Sequence, residues 1–330
     1  VLDALLDEAL AKNLDLAEAS ARLRAAEAQA RISNSGLFPQ LNAGLNSSYS
    51  DSPTAGTNFG ALPGAGSGRL QNETYSSSLS LSYELDIWGK LRNGSRASRA
   101  DAIASAADLH AVRLAVMAEV ITSYFDLVDA RHQIALSVEI IDVLGDRVEQ
   151  TENRYRRGLA TSFELYQVRQ DFRNVQASLP QREIQLAAIE GQLAVLIGRY
   201  SDNLDEFLSK ELTPKLIFEP IPPGLPIDLL VRRPDVFAQA QRLEAARFNL
   251  GARKADRFPS LSLSAGTGTQ AGNTQGVFDI FDNWVLSLGA GLTAPLFQGG
   301  RIRANIEIAD AQYAQQTAAY ARTVLNAYQE

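Results

Sequence analysis

The sequence predicts a mainly α protein with four β strands per chain, arranged as an internal two-fold repeat. Three observations predict it. Residues 22–41 (RLRAAEAQARISNSGLFPQL) return as residues 242–261 (RLEAARFNLGARKADRFPSL), with Arg22, Leu23, Ala25, Ala26, Phe38, Pro39 and Leu41 matched by Arg242, Leu243, Ala245, Ala246, Phe258, Pro259 and Leu261. A repeat of that length means two copies of one structural unit. After each Phe-Pro the apolar period switches to two, the signature of a strand with one apolar face. Helical periodicity then returns and holds over residues 93–157 without a proline, where a globular helix seldom exceeds about 25 residues.

The first element is a helix over 1–36. Leu2, Leu5, Ala9, Leu16, Ala19, Leu23, Ala26 and Ala30 form its stripe, and Lys12 is the one polar intruder. Pro39 ends it, because the residue before a proline resists helical dihedrals. Over 41–49, Leu41, Ala43, Leu45, Ser47 and Tyr49 alternate with Asn42, Gly44, Asn46 and Ser48. The Gly/Pro/Ser/Thr/Asn-rich stretch 50–74 reads as a loop. Tyr75, Ser77, Leu79, Leu81, Tyr83 and Leu85 then alternate with Ser76, Ser78, Ser80, Ser82 and Glu84, completing a strand hairpin over 41–88.

The long stripe follows, through Ala97, Ala100, Ala104, Ala107, Ala111, Leu114, Ala118, Ile121, Phe125 and Val128, then one residue out of step through Ile134, Val138, Ile141 and Val148 to Tyr155. At 1.5 Å per residue this is about 95 Å of helix. Gly158 suits a left-handed C-cap, and Thr161 or Ser162 an N-cap. A second stripe, Leu165, Val168, Phe172, Val175, Leu179, Leu186, Ile189, Leu193 and Leu196, carries Pro180, where a kink is expected. The two make a helical hairpin over 93–198 that turns sharply at 158–162.

Repeat 1 thus spans 1–198, and a linker over 199–226, with Pro214, Pro220, Pro222, Pro223 and Pro226, separates it from repeat 2 at 227–330. Repeat 2 comprises a helix at 227–257, strands within 260–296 and a helix at 301–330. Gly300-Arg301-Ile302-Arg303 echoes Gly89-Lys90-Leu91-Arg92 at an offset of 211 rather than 220, because the second hairpin loop is shorter. Repeat 2 stops before a counterpart of the turn at 158, so the chain is expected to be incomplete at its C-terminus.

Composition removes several functions. A net charge of −7 provides no basic stripe for nucleic acid. Without cysteine there is neither a disulfide framework nor a thiolate metal site. His110 and His132 lack a second ligand four residues on, and Asp202, Asp205 and Glu206 lack calcium-loop spacing. Gly266, Gly268 and Gly272 interrupt a strand rather than open a helix, which rules against a phosphate loop. No cofactor, metal or catalytic site is expected. The chain opens in a helical pattern at Val1, so either it is cytosolic or a targeting segment has been removed. No apolar run is long enough for a membrane helix, which leaves a membrane barrel open.

The strands carry the functional information. Each has an apolar face and a face of Ser, Gly, Asn and Thr. The apolar faces suit either lipid, with the polar faces lining a lumen, or a β-sandwich or sheet packed on helices. In a bilayer, Asn42, Asn46, Ser76, Ser78, Ser80 and Ser82 would face the lumen, and Tyr49, Tyr75, Tyr83, Trp88 and Trp284 would lie near the lipid interfaces. Small barrels need about eight strands, so four per chain would require several chains to share one barrel. Alanine along the 97–118 seam permits close helix approach, as in a wide ring of helices. A soluble coiled-coil scaffold is the alternative.

Specific residues carry a family likeness. They are Leu225-Pro226, Leu229-Leu230, Arg232-Arg233-Pro234-Asp235, Leu243, Ala245-Ala246 and Phe258-Pro259-Ser260, supported by Tyr83-Glu84-Leu85-Asp86-Ile87-Trp88-Gly89 and Arg154-Tyr155-Arg156-Arg157-Gly158-Leu159-Ala160. On these the whole chain resembles the TolC-like outer-membrane efflux channels, in the OprM/NodT-type branch that serves RND pumps. The resemblance implies a trimer whose shared twelve-stranded β-barrel continues into a long periplasmic α-helical barrel, with 199–226 in an equatorial girdle. It implies a passive exit duct, not an enzyme, working in the outer membrane of a Gram-negative bacterium with a periplasmic adaptor and an inner-membrane RND-type transporter. The adaptor would reach the helical tip at Arg157, Gly158, Leu159, Ala160 and Thr161. Type I secretion ducts share the architecture, but the Arg-Arg-Pro-Asp block favours efflux. Many relatives carry a lipidated N-terminal cysteine; its absence implies that the native N-terminus is missing or unlipidated. The family's acidic constriction lies mainly on the second-repeat hairpin, so no gate residue is assigned.

Overall fold

The computed structural model describes residues 1–53, 69–200, 232–276, 279, 282 and 284–329. Its elements are α1 (Leu2–Lys12), α2 (Leu14–Ser35), β1 (Gln40–Pro53), β2 (Arg69–Leu85), α3 (Lys90–Arg156), α4 (Ser162–Leu196), α5 (Pro234–Ala255), β3 (Ser260–Ala271), β4 (Trp284–Thr293) and α6 (Arg301–Gln329). The fold is mainly α with one antiparallel sheet, as the periodicities predict. Residues 201–226 of the expected linker lie outside the described residues. The chain divides into one unit of residues 1–24 and 105–237 and another of 25–104 and 238–330.

The first unit packs α1 and the ends of the helical hairpin. Leu5 and Ala9 of α1 meet Val116, Val120, Tyr124, Leu127 and Val128 of α3 and Leu193, Ala194, Leu196 and Ile197 at the end of α4. The expected single helix over 1–36 is broken at Asn13, where the backbone turns extended. Its side-chain oxygen accepts hydrogen bonds from the N–H groups of Asp15 and Leu16 at 2.9 and 3.0 Å, capping α2. Its amide nitrogen donates to the Leu196 carbonyl at 2.9 Å, tying the break to the end of α4. Gly198 closes α4 with φ of +68°, and a Cβ there would sit 2.7 Å from the Lys12 carbonyl oxygen. Only glycine meets both demands.

Glu8 completes this junction. Its side chain is 9% exposed, and Oε1 accepts hydrogen bonds from Lys12 Nζ at 2.8 Å and Arg199 Nε at 2.5 Å. Burial alone would raise its pKa; the Lys12 and Arg199 hydrogen bonds and charges outweigh burial and hold it below the ordinary carboxylate range.

In the second unit the sheet runs β1-β2-β3-β4, every neighbour antiparallel. β1 pairs with β2 from Gln40↔Ser82 to Pro53↔Arg69, so much of the expected 50–74 loop is strand. The polar residues there hold the ladder through backbone pairing, and Arg69 bonds Asp51 across it at 2.8 Å. β4 ends at Thr293, two residues before Pro295, which cannot donate to a ladder. The helices of this unit touch in sequence order. Ser33 of α2 meets Ser98 of α3 at 2.8 Å. Arg96 of α3 lies over the Phe248 ring of α5. Leu250 of α5 packs on Ile306 and Ala309 of α6.

Candidate functional site

The helical tip is built by local capping. Gly158 adopts φ of +73°, its N–H donates to the Tyr155 carbonyl at 2.9 Å, and the Leu159 N–H donates to the Arg154 carbonyl at 2.9 Å. These bonds form a Schellman motif that ends α3. Thr161 then starts α4 with a capping box: its hydroxyl accepts from the Glu164 N–H at 3.2 Å, and Glu164 Oε2 accepts from the Thr161 N–H at 3.1 Å. Arg157, Gly158, Leu159 and Thr161 are exposed and Ala160 is half-buried, so the expected tip residues share one surface turn. Behind the turn the Glu152 carboxylate accepts from Arg156 at 2.8 Å and Arg169 at 2.9 Å, and these bonds hold its pKa below the ordinary range. Exposed Phe163 and Tyr166 extend the tip with aromatic surface. Both were missed; they stand off the Leu165–Val168 stripe, the signal that could have found them.

The sheet register decides which side chains share a face, because directly paired residues do. Asn42, Gly44 and Asn46 pair with Ser80, Ser78 and Ser76. Ser76, Ser78, Ser80 and Ser82 pair in turn with Gln270, Gly268, Gly266 and Ser264. The six polar residues singled out from the sequence therefore occupy one continuous face. Several hydroxyls lie down on it: Ser78 donates to the Gly44 carbonyl at 3.5 Å, Ser80 to Asn42 at 3.5 Å, Ser262 to Gly291 at 3.3 Å and Ser287 to Gly266 at 3.4 Å.

The other face is apolar. Leu41, Leu81, Ala265 and Leu288 form one row across all four strands, and Ala43, Leu79, Thr267 and Leu286 form the next. Its interior polar pair, Ser77 and Thr269, is closed by a 2.8 Å hydroxyl bond. Tyr49, Tyr75 and Trp284 cluster at its far end, and Tyr83 stands at the end nearer the helices. From Tyr75 to Tyr83 the strand advances about 27 Å at 3.4 Å per residue, against an apolar band about 25 Å tall in membrane barrels. Trp88 lies past β2, stacked on Phe258 with centroids 4.7 Å apart, and its Nε1 donates to the Pro259 carbonyl at 2.8 Å.

Asp86 joins sheet to helix. Its carboxylate accepts from the N–H groups of Leu91 at 3.1 Å and Arg92 at 2.8 Å, capping α3, and from Arg92 Nε at 3.1 Å. Burial would raise its pKa, but the Arg92 and Leu91 N–H bonds, then the Arg92 guanidinium, hold it low.

A two-faced sheet beside long capped helices matches known proteins. The family model described as outer membrane efflux protein matches residues 5–199 and 225–330. The chain belongs to that family. It is 32% identical over 331 residues to the pyoverdine export outer membrane protein OpmQ of Pseudomonas aeruginosa, covering 99% of this chain and 68% of that protein. It is 28% identical over 338 residues to the cation efflux system protein CusC of Escherichia coli K12, with the same two coverages. The crystal structure of a membrane protein from Pseudomonas aeruginosa superposes with a TM-score of 0.90 at 29% identity, covering 100% of this chain and 75% of that one. The chain is thus an efflux channel of the outer membrane of a Gram-negative bacterium, reaching into the periplasm.

Proposed function

We propose that the chain forms, as a homotrimer, the passive exit duct of a tripartite efflux pump. The observation that carries this reading is the four-stranded sheet with one apolar face, one small polar face and two open edges. A bilayer tolerates no open strand edge, and three copies supply twelve strands for a closed barrel. The apolar rows face lipid, and Asn42, Asn46, Ser76, Ser78, Ser80 and Ser82 line the bore. The aromatic residues Tyr49, Tyr75, Tyr83, Trp88 and Trp284 mark the two lipid interfaces. The helical tip at Arg157–Thr161 receives a periplasmic adaptor, which couples the duct to an RND-type transporter in the inner membrane. Nothing in the duct performs chemistry. Similar chains are named for cation efflux and for pyoverdine export, which fits a wall that leaves cargo selection to the transporter.

Planar-bilayer recording of the intact protein tests the duct; a purified trimer that opens no pores overturns it. The tip is tested by Leu159→Glu and Gly158→Glu. Pump-dependent resistance is lost while heat-resistant trimers persist in the outer membrane. Undiminished resistance in both variants removes the tip from adaptor docking.

A further inference from the structure

The chain has a net charge of −7, yet the helix that leaves β2 opens on cations: Lys90, Arg92, Arg96 and Arg99 precede its first carboxylate, Asp101. All four are exposed. They do not share one side of α3. Lys90 Nζ lies 3.3 Å from Asp256 and 4.0 Å from Glu84. Glu84 pairs with Ser262, so it stands on the polar face of the sheet and marks Lys90 as its neighbour there. Arg92, Arg96 and Arg99 follow the spacing i, i+4, i+7 and form one stripe. At 3.6 residues per turn that stripe lies roughly 180–240° round the helix from Lys90. It therefore runs beneath the apolar face, the face that meets lipid on the duct reading above.

A cavity opens beside the stripe. It holds about 450 Å³ between α2 and α3 and is lined by Arg31, Asn34, Ser35, Phe38, Ser95 and Arg99. The Ser95 hydroxyl donates to Asn34 Oδ1 at 3.3 Å, and the Ser35 hydroxyl to the Ile32 carbonyl at 2.7 Å. The donors left for a ligand are two guanidinium groups and the Asn34 amide. Among the described residues, neither Arg31 nor Arg99 has a carboxylate partner. Arg92 is paired with Asp86, and Arg96 lies 5.8 Å over the Phe248 ring. Phe38, on the rim of the cavity, is 60% exposed. From Arg92 to Arg99 the helix advances about 10 Å. Arginine stems reach along apolar surface, so both ends of the stripe serve a headgroup layer about 5–7 Å deep.

We propose that this stripe and its cavity bind the headgroup of an anionic phospholipid in the periplasmic leaflet. Arg31 and Arg99 grip the phosphate, Arg96 adds charge, and Phe38 meets the acyl chain. Three observations choose that occupant. Cations without carboxylate partners call for an anion, and the planar guanidinium fork matches phosphate oxygens in pairs. The stripe continues the apolar face past Tyr83 towards the helices, the level at which lipid phosphates follow lipid chains. The opposite side of α3 offers no such attraction, because Lys90 and Arg253 are both answered by Asp256, at 3.3 and 3.6 Å. The charges thus fix the depth of the barrel on one side and leave the bore balanced. Each cation near an anionic lipid surface is worth about fivefold in binding.

Native mass spectrometry of the intact protein tests the site, with phosphatidylglycerol and phosphatidylethanolamine supplied in equal amounts in mixed micelles. The wild type is expected to retain phosphatidylglycerol over phosphatidylethanolamine by about fivefold or more. The combined variant Arg31→Gln, Arg96→Gln, Arg99→Gln should bring the two lipids to parity, and Arg→Lys at the same three positions should keep most of the preference. Arg99→Gln alone, the milder change should the triple variant fail to assemble, should lower the ratio roughly twofold or more. Arg253→Gln, on the bore side, should leave it unchanged. A wild type without preference overturns the site, and so does an Arg253→Gln variant that loses as much as the triple. Inorganic phosphate that abolishes the preference, where chloride of equal ionic strength does not, overturns the lipid assignment in favour of free phosphate. Trimers that conduct in planar bilayers but show no preference leave the duct reading standing. A wild type that opens no pores overturns the duct reading itself.

Discussion

The cluster around Leu127 and the sheet around Leu288 are opposite solutions to burying leucine. Leu127 is fully buried by the chain's own α1, α3 and α4. Leu288 is 78% exposed, and every residue of β4 is exposed within the single chain. The helical cluster is completed by its own sequence; the sheet is completed only by surroundings that the chain does not provide. The difference teaches where to look for partners. An apolar residue exposed within a regular two-faced pattern marks lipid or another copy, and an apolar residue sealed by three helices marks a core that its own chain completes.

The comparison can be broken at four points, from the largest expected effect to the smallest. Leu127→Ala should cost about 2–5 kcal/mol, the usual range for emptying a well-packed leucine site, read as an earlier denaturant midpoint of the helical region. A cost below about 1 kcal/mol, roughly the level of a surface change, would mean that the cluster is not self-contained. Leu288→Arg should cost about 2–4 kcal/mol per copy, the depth-dependent charge for arginine on a lipid face, and heat-resistant trimers should fall sharply. Ser80→Arg, on the opposite face of β2, should leave their yield unchanged. Equal losses from both would void the assignment of faces.

Glu8→Gln sharpens the helical side. The folded pKa of Glu8 is depressed, so the carboxylate adds stability above its unfolded pKa and loses it as pH falls through the folded value. The variant should be less stable at pH 7 by about 1–3 kcal/mol, the worth of a charge-assisted bond. It should also show a flatter loss of stability below about pH 4, where free carboxyls protonate. An unchanged acid limb would remove Glu8 from the junction. Thr161→Ala should cost about 1 kcal/mol through the lost cap, and Thr161→Ser should restore most of it. No change in hairpin melting would show that the tip is held by something other than its capping box.

Much of the fold was legible in the sequence, for identifiable reasons. Periodicity separated helix from strand because Ala97–Val128 and Tyr75–Leu85 keep their periods without interruption. The tip was legible because Gly158 and Thr161 announce a left-handed cap and an N-cap. The break at Asn13 was hidden, since Leu5, Ala9 and Leu16 keep the stripe across it, although Asn13 followed by Asp15 is an N-cap signal. Strand at 50–53 and 69–74 was hidden by loop-like composition; backbone pairing needs no apolar side chain. For the candidate site, residue types named the polar and apolar faces, and the ladder register alone showed that Asn42, Asn46, Ser76, Ser78, Ser80 and Ser82 form one surface. The Trp88–Pro259 and Glu8–Arg199 bonds join residues 171 and 191 positions apart, and no local pattern encodes such distances.

The reclining serines have a last consequence. A hydroxyl that donates to the neighbouring strand has already spent its only proton, as Ser78, Ser80, Ser262 and Ser287 have. On the proposed reading, a solute sliding along that wall meets these serines mainly as acceptors, the amides of Asn42 and Asn46 remaining as donors. On that reading the lining behaves as a glaze rather than a receptor.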